Sequence, residues 1–188
     1  MKPIGVLMWE HRLIERVIGL FPERIAGMRD TGKADTAFIR DAVDFIRVYA
    51  DRTHHGKEED ILFRMLDKKD LTPEHRKIMT DLIDEHVYAR NLVKGLVDAN
   101  TLALMGRDTT PEITETLESL ARFYPAHIRK EDREFFHPCM EYFSGEELDD
   151  MMREFELFDR RMIHEKYRAE TERMLGKPID WSPPGLVG

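Results

Sequence analysis

The sequence is poor in cysteine: Cys139 is the one thiol in 188 residues, which excludes an intramolecular disulfide and leaves no thiolate set for a zinc or iron–sulfur site. No run approaches the roughly 18 to 20 apolar residues that a bilayer span needs. The apolar stretch 3–9 is too short for a signal-peptide core and runs into Glu10-His11-Arg12, so a cytoplasmic location is expected. No segment sustains the period-two alternation of a half-buried strand. With 11 Gly and 9 Pro the chain is neither collagenous nor low in complexity. Positive charge is in the minority: 29 Lys+Arg against 37 Asp+Glu give −8, which argues against a nucleic-acid or anionic-membrane partner. What is present is a globular composition, 41% hydrophobic and 35% charged, with 8 histidines. A metal in this chain would be held by nitrogen and oxygen.

Apolar residues recur at helical spacing almost throughout, so the fold is expected to be all-α. The first helix covers 3–28 and must break or kink near Phe21 because of Pro22. The second covers 35–66. Thr72-Pro73-Glu74 caps and opens the third, which runs to 104, and Thr110-Pro111-Glu112 repeats that signal for the fourth, to 143, with distortion expected at Pro125 and Pro138. Ser144 and Glu147 have capping-box spacing and start a fifth helix that ends near Gly176. Short connections favour antiparallel neighbours, hence an up-down-up-down four-helix bundle over 1–143, an additional C-terminal helix over 144–176, and an irregular tail over 177–188 in which Trp181 could act as a pin.

The second helix contains His54-His55-Gly-Lys57-Glu58-Glu59, ending in Leu62-Phe63. The fourth contains His127-Ile-Arg-Lys130-Glu131-Asp132, ending in Phe135-Phe136, 73 residues later. Glu10-His11 in the first helix and Glu85-His86 in the third are 75 apart. The bundle therefore reads as a duplicated helix pair. Residues four apart share one helix face, so an imidazole and a carboxylate at that spacing can reach one cation. Glu follows His by four at His11, His54, His55, His127 and His137, more often than chance placement gives.

The faces agree with an inward site. His54 and Glu58 lie on the stripe Ile46, Ala50, Leu62, Met65, and His127 and Glu131 on Leu117, Leu120, Tyr124, Phe135. His11 continues Ile4, Leu7, Ile14, Ile18, and His86 continues Met79, Leu82, Val93. At about 1.5 Å of rise per residue, the antiparallel turns bring all six groups to roughly one height. Burying them in an apolar bundle without a cation would leave costly unpaired groups. Two divalent ions, each with two histidines and sharing both glutamates, resolve that cost.

On His11, His54-x-x-x-Glu58, His86 and His127-x-x-x-Glu131, with Lys57-Glu58-Glu59 and Leu62-Phe63, the sequence resembles the hemerythrin-like HHE cation-binding domains over about residues 4–143. The resemblance implies two iron ions in an oxo- or hydroxo-bridged non-haem centre, or another divalent cation, and a small diatomic or peroxide ligand. Functions in that family include oxygen transport or sensing, nitric-oxide handling, iron sensing and peroxide chemistry. Oxygen-carrying members place another His four residues after the third-helix His; here Arg90 stands there. The four-His, two-Glu set is similar to that of iron–sulfur-cluster-repair di-iron proteins, which usually carry a further cysteine-bearing N-terminal region not found in this sequence. Open positions on both ions then favour reaction with oxygen, peroxide or nitric oxide, in stress response or detoxification, over reversible carriage. The alternative is an oxygen or iron sensor or storage module without turnover.

Three neighbours are expected to tune the centre. Glu15 and Arg90 each follow a site His by four and would face each other as an inward ion pair, or Glu15 would become a ligand. Tyr124 precedes His127 by three and points toward the ions, with Tyr49 and Tyr88 weaker candidates. His55 and Glu59 are rotated about 100° from the ligand pair and are expected in solvent or between helices; a register shift would put them in place of His54 and Glu58. His75, His137 and His164 are read as structural and Cys139 as a buried thiol. The fifth helix presents Met151, Met152, Phe155, Phe158, Met162 and Tyr167, enough apolar surface to pack on the bundle, restrict access to the metals, or form a homodimer interface.

Overall fold

A computed structural model describes residues 2–175 and Pro178, with backbone alone for 163–165 and 167–175. The expected cap at Gly176 and the tail, apart from Pro178, lie outside the described residues. Helix α1 (Pro3–Ile18) is followed by α2 (Phe21–Thr31). The helix expected over 3–28 is thus two, and the break falls at Gly19-Leu20, where Pro22 can sit in the first turn of a new helix without a missing hydrogen bond. Gly32 closes α2 with a left-handed φ of 62°.

Helix α3 opens at Thr36–Phe45 with the Asp35 carboxylate accepting from Phe38 N–H at 3.0 Å. It then continues through two wide π-type stretches, Ile46–His55 and Glu58–Phe63, and closes with Arg64–Leu66. Helix α4 (Pro73–Leu104) carries Thr72 as its cap, accepting from His75 N–H at 3.2 Å. Helix α5 (Thr110–Lys130) passes through Pro125 without ending, widens into a π turn at Glu131–Phe135 and resumes at Phe136–Cys139. The distortion expected from proline lies just before Pro138, which has no N–H to give to the carbonyl four residues back. Helix α6 (Gly145–Leu175) starts at a capping box in which Ser144 N–H donates to Glu147 at 2.8 Å and Glu147 N–H to the Ser144 hydroxyl at 3.2 Å. The described residues contain no strand, and no helix among them is long and apolar enough to cross a membrane.

The apolar interior has two parts. One joins Ile14, Ile18, Phe21, Ile39, Leu96, Leu117 and Tyr124; the other joins Leu7, Leu62, Leu66, Leu82, Phe135 and Phe136 with Met151, Phe155 and Phe158 of α6. Helix α6 therefore packs on the bundle, against α1 and α3. Between the two apolar parts lies a buried layer of Glu10, His11, His54, His55, Lys57, Glu58, His86, His127 and Glu131.

Candidate metal centre

All six groups expected to converge do so: His11, Glu58, His86 and Glu131 are 0% exposed, His54 1% and His127 2%. They form two sets. His11, His54, Glu58 and Glu131 bring ligand atoms within 4.8 Å of one another, and His86 and His127 do so in a second set. The carboxylates span the two. Glu58 presents Oε1 to His54 Nε2 and Oε2 to His86 Nε2, each at 3.4 Å. Glu131 presents Oε2 to His11 Nε2 and Oε1 to His127 Nε2, each at 3.2 Å.

The outward nitrogens explain why the inward ones are free to bind. A carboxylate can only accept, so each Nδ1 facing one carries a proton, and the inward Nε2 is the nitrogen left to bind a metal, in exchange for any proton it holds. His11 donates to Asp132 at 2.7 Å, His54 to Glu10 at 2.9 Å, His86 to Glu59 at 2.7 Å and His127 to Glu85 at 2.7 Å. Lys57 and Lys130 donate to Glu10 and Glu85. The duplication in sequence is thus a duplication of circuits, in which each helix pair orients a histidine of the other through Glu59 and Asp132. Sequence reasoning missed these carboxylates as positioning groups. Their signal was the repeat itself, which preserved Glu10/Glu85 and Glu59/Asp132, although of these only Glu59 follows a histidine by four.

His55 departs from expectation. It is 1% exposed, belongs to the set with His86 and His127, and stacks on His86 with centroids 3.8 Å apart and planes at 11°. An i→i+5 turn holds more residues than 3.6, so the step per residue falls below 100° and both His54 and His55 reach the interior. Neither solvent exposure nor a register shift applies. Its counterpart 73 residues on is Ile128, also buried, so the duplication is asymmetric here.

The inward Glu15–Arg90 pair does not form. Glu15 pairs with Arg12 at 3.1 Å on the surface and belongs to neither ligand set, because the partner one turn away on its own helix is nearer. Arg90 instead donates to Asp51 and to Glu59, each at 2.7 Å, and so acts on the centre through the carboxylate that orients His86. Tyr124 is buried beside the site with a hydroxyl that has no partner, and burial pushes that hydroxyl's pKa up. Tyr49 is partly buried and contributes to neither ligand set, whereas Tyr88 is exposed. His75 is structural, its ring nitrogen 2.8 Å from the Tyr142 hydroxyl, and Cys139 is a buried thiol raised to about 12 by desolvation.

Without a cation the layer is strained electrostatically. Burial opposes charge on His11 and His127, but Asp132 and Glu131 beside the first hold it at about 9, and Glu131 and Glu85 beside the second at about 10. Burial and the neighbouring Glu131 push Glu58 well above the carboxylate range, while burial lowers His54 to about 4 and holds His55 well below the usual imidazole range. Nine buried atoms of this cluster have no hydrogen-bond partner: Nε2 of His11, His54, His86 and His127, Nδ1 of His55, and all four oxygens of Glu58 and Glu131. Cations in the two sets would satisfy the four Nε2 atoms and the four glutamate oxygens, and imidazole with carboxylate suits iron or another first-row divalent metal.

A family model, the Hemerythrin HHE cation binding domain, matches residues 2–139. No curated protein and no solved structure matches the chain at a significant level. That match covers the helical bundle and its cluster of buried histidines and glutamates, and it settles the affiliation: the chain belongs to the hemerythrin HHE cation-binding family.

Proposed function

We propose that the chain is a non-haem di-iron protein that binds or reacts with oxygen, peroxide or nitric oxide, in stress response or detoxification. The observation that carries the reading is the placement of Glu58 and Glu131, each with one oxygen toward either set, which is what two ions sharing carboxylates require. The metals would be held by His11 and His54 in one set, by His86 and His127 in the other, and by both glutamates, with His55 as a third imidazole of the second set. The iron pair supplies redox-active positions for a small ligand. The chain's own part is to fix four imidazoles by Nδ1–carboxylate bonds and to exclude bulk water with the two apolar clusters that enclose the layer. His55 makes the two sets unequal, and with a third imidazole in the second set a small ligand would be taken up on the side of His11 and His54. Stopped-flow mixing of the diferrous protein with oxygen, hydrogen peroxide and nitric oxide tests the reading: a spectral change with at least one supports it, and inertness to all three overturns it.

A sensor without turnover is favoured by one observation. The fully buried Lys57 donates to Glu10, which orients His54, and to Asp159 of α6 at 2.7 Å. The C-terminal helix is thereby tied to the first ligand set. Hydrogen exchange in α6 that changes with oxidation state, without catalytic turnover, would select this reading.

A further inference from the structure

Beside the second ligand set lies a half-open cavity of about 310 Å³. A diatomic needs only a water-sized space, on the order of 30 Å³, so the cavity is too large to serve as a pocket for oxygen or nitric oxide alone. Its walls are Ile46, Ala89, Val93 and Val97. Its floor is His55 and Tyr124, both at least nine-tenths buried; the Tyr124 hydroxyl has no hydrogen-bond partner, and His55 Nδ1 has only the carboxylate of Asp51, which also lines the cavity, at 3.4 Å. A buried hydroxyl facing an apolar space is costly unless something polar meets it.

The mouth is basic. Arg90 is engaged by Asp51 and Glu59, but Arg47 and Lys94, both exposed, make no ion pair with any described residue. On a chain of net charge −8 this is a local positive rim over an apolar shaft. Diatomics and peroxide use none of these features. An organic molecule with an anionic head at Arg47 and Lys94, an aliphatic body along the walls and an oxygen function at the floor uses all of them.

We propose that this cavity binds an amphipathic organic carboxylate carrying a hydroxyl or related oxygen at its far end, and that the bound molecule touches the metal centre through His55. The link to the metals rests on the di-iron reading above; the binding itself does not. A site whose buried polar groups await an oxygen discriminates strongly against an analogue that lacks it.

Calorimetric titration of the metal-free and the iron-loaded protein with 8-hydroxyoctanoate, octanoate and 8-amino-1-octanol tests the proposal. The hydroxy acid is expected to bind both forms, octanoate roughly tenfold more weakly, and the amine not at all. Val93→Trp, which fills the shaft, should abolish binding; Arg47→Glu with Lys94→Glu, on the surface and harmless to the fold, should weaken it by about tenfold or more. Tyr124→Phe should erase the preference for the hydroxy acid. Absence of binding, equal binding to the Val93→Trp or charge-reversed protein, or an amine that binds as well as the acid would overturn it. In the iron-loaded protein the hydroxy acid should also shift the visible spectrum. Binding without that shift would remove the contact with the centre and, with iron present and reactive, leave the di-iron reading intact.

Discussion

At the residue scale the centre depends as much on groups that never meet a metal as on those that do. Glu85 fixes the His127 ring from outside and is itself held by Lys130. Burial would raise its pKa, but His127 and Lys130 keep it below the usual carboxylate range. Glu85→Gln retains an acceptor and loses the charge, so metal affinity should fall by about 10- to 100-fold in chelator competition. Glu112→Gln, on the exposed first turn of α5, should leave it unchanged. Equal affinity of the Glu85 variant and the parent would remove these carboxylates from the account.

At the element scale the convergence of the four histidines and two glutamates was legible because α-helical geometry has few free parameters: one residue's height and face fix those of its neighbours. His55 was not, because the reading assumed 3.6 residues per turn where α3 runs in wide turns. Arg90 was placed on the right helix but given the wrong partner, since a long side chain takes whichever carboxylate is nearest, and Asp51 and Glu59 lie on the adjoining α3. The seating of α6 was legible only as surplus apolar surface. The structure adds its point of contact: a Cβ on Gly56 would come 2.7 Å from Cζ of Phe158, in the segment between His55 and Lys57. Gly56→Ala should lower stability by about 1–3 kcal/mol through overpacking, less the gain of about 0.5–1 kcal/mol from a better helix former. In a Phe158→Leu background the same change should become neutral or stabilising. Additive effects in the double variant would show that α6 does not pack there in solution.

At the scale of the whole molecule, a charged layer divides the core, and the bundle can carry it in two ways: protons when no metal is bound, cations when it is. Above pH 6.5 His54 and His55 are neutral whether folded or unfolded and contribute nothing further. His11 and His127, raised to about 9 and about 10, give the metal-free fold stability that is fully present below pH 6.5 and lost as pH rises through those values. Unfolding midpoints of the metal-free protein should therefore fall between pH 7 and 10, and fall far less with metal bound. At pH 7 metal uptake should also release protons, at least the two held by these histidines, measurable by calorimetry in buffers of different ionisation enthalpy. Uptake without proton release would contradict this exchange.

The central claim is that one buried layer holds two metals through shared carboxylates, and counting iron tests it most directly. Protein reconstituted anaerobically with excess ferrous iron and desalted should retain two irons per chain, one for each ligand set, and lose both when His54 and His127 are changed together to leucine. A single iron in the folded parent, or two irons retained by the double variant, would contradict it.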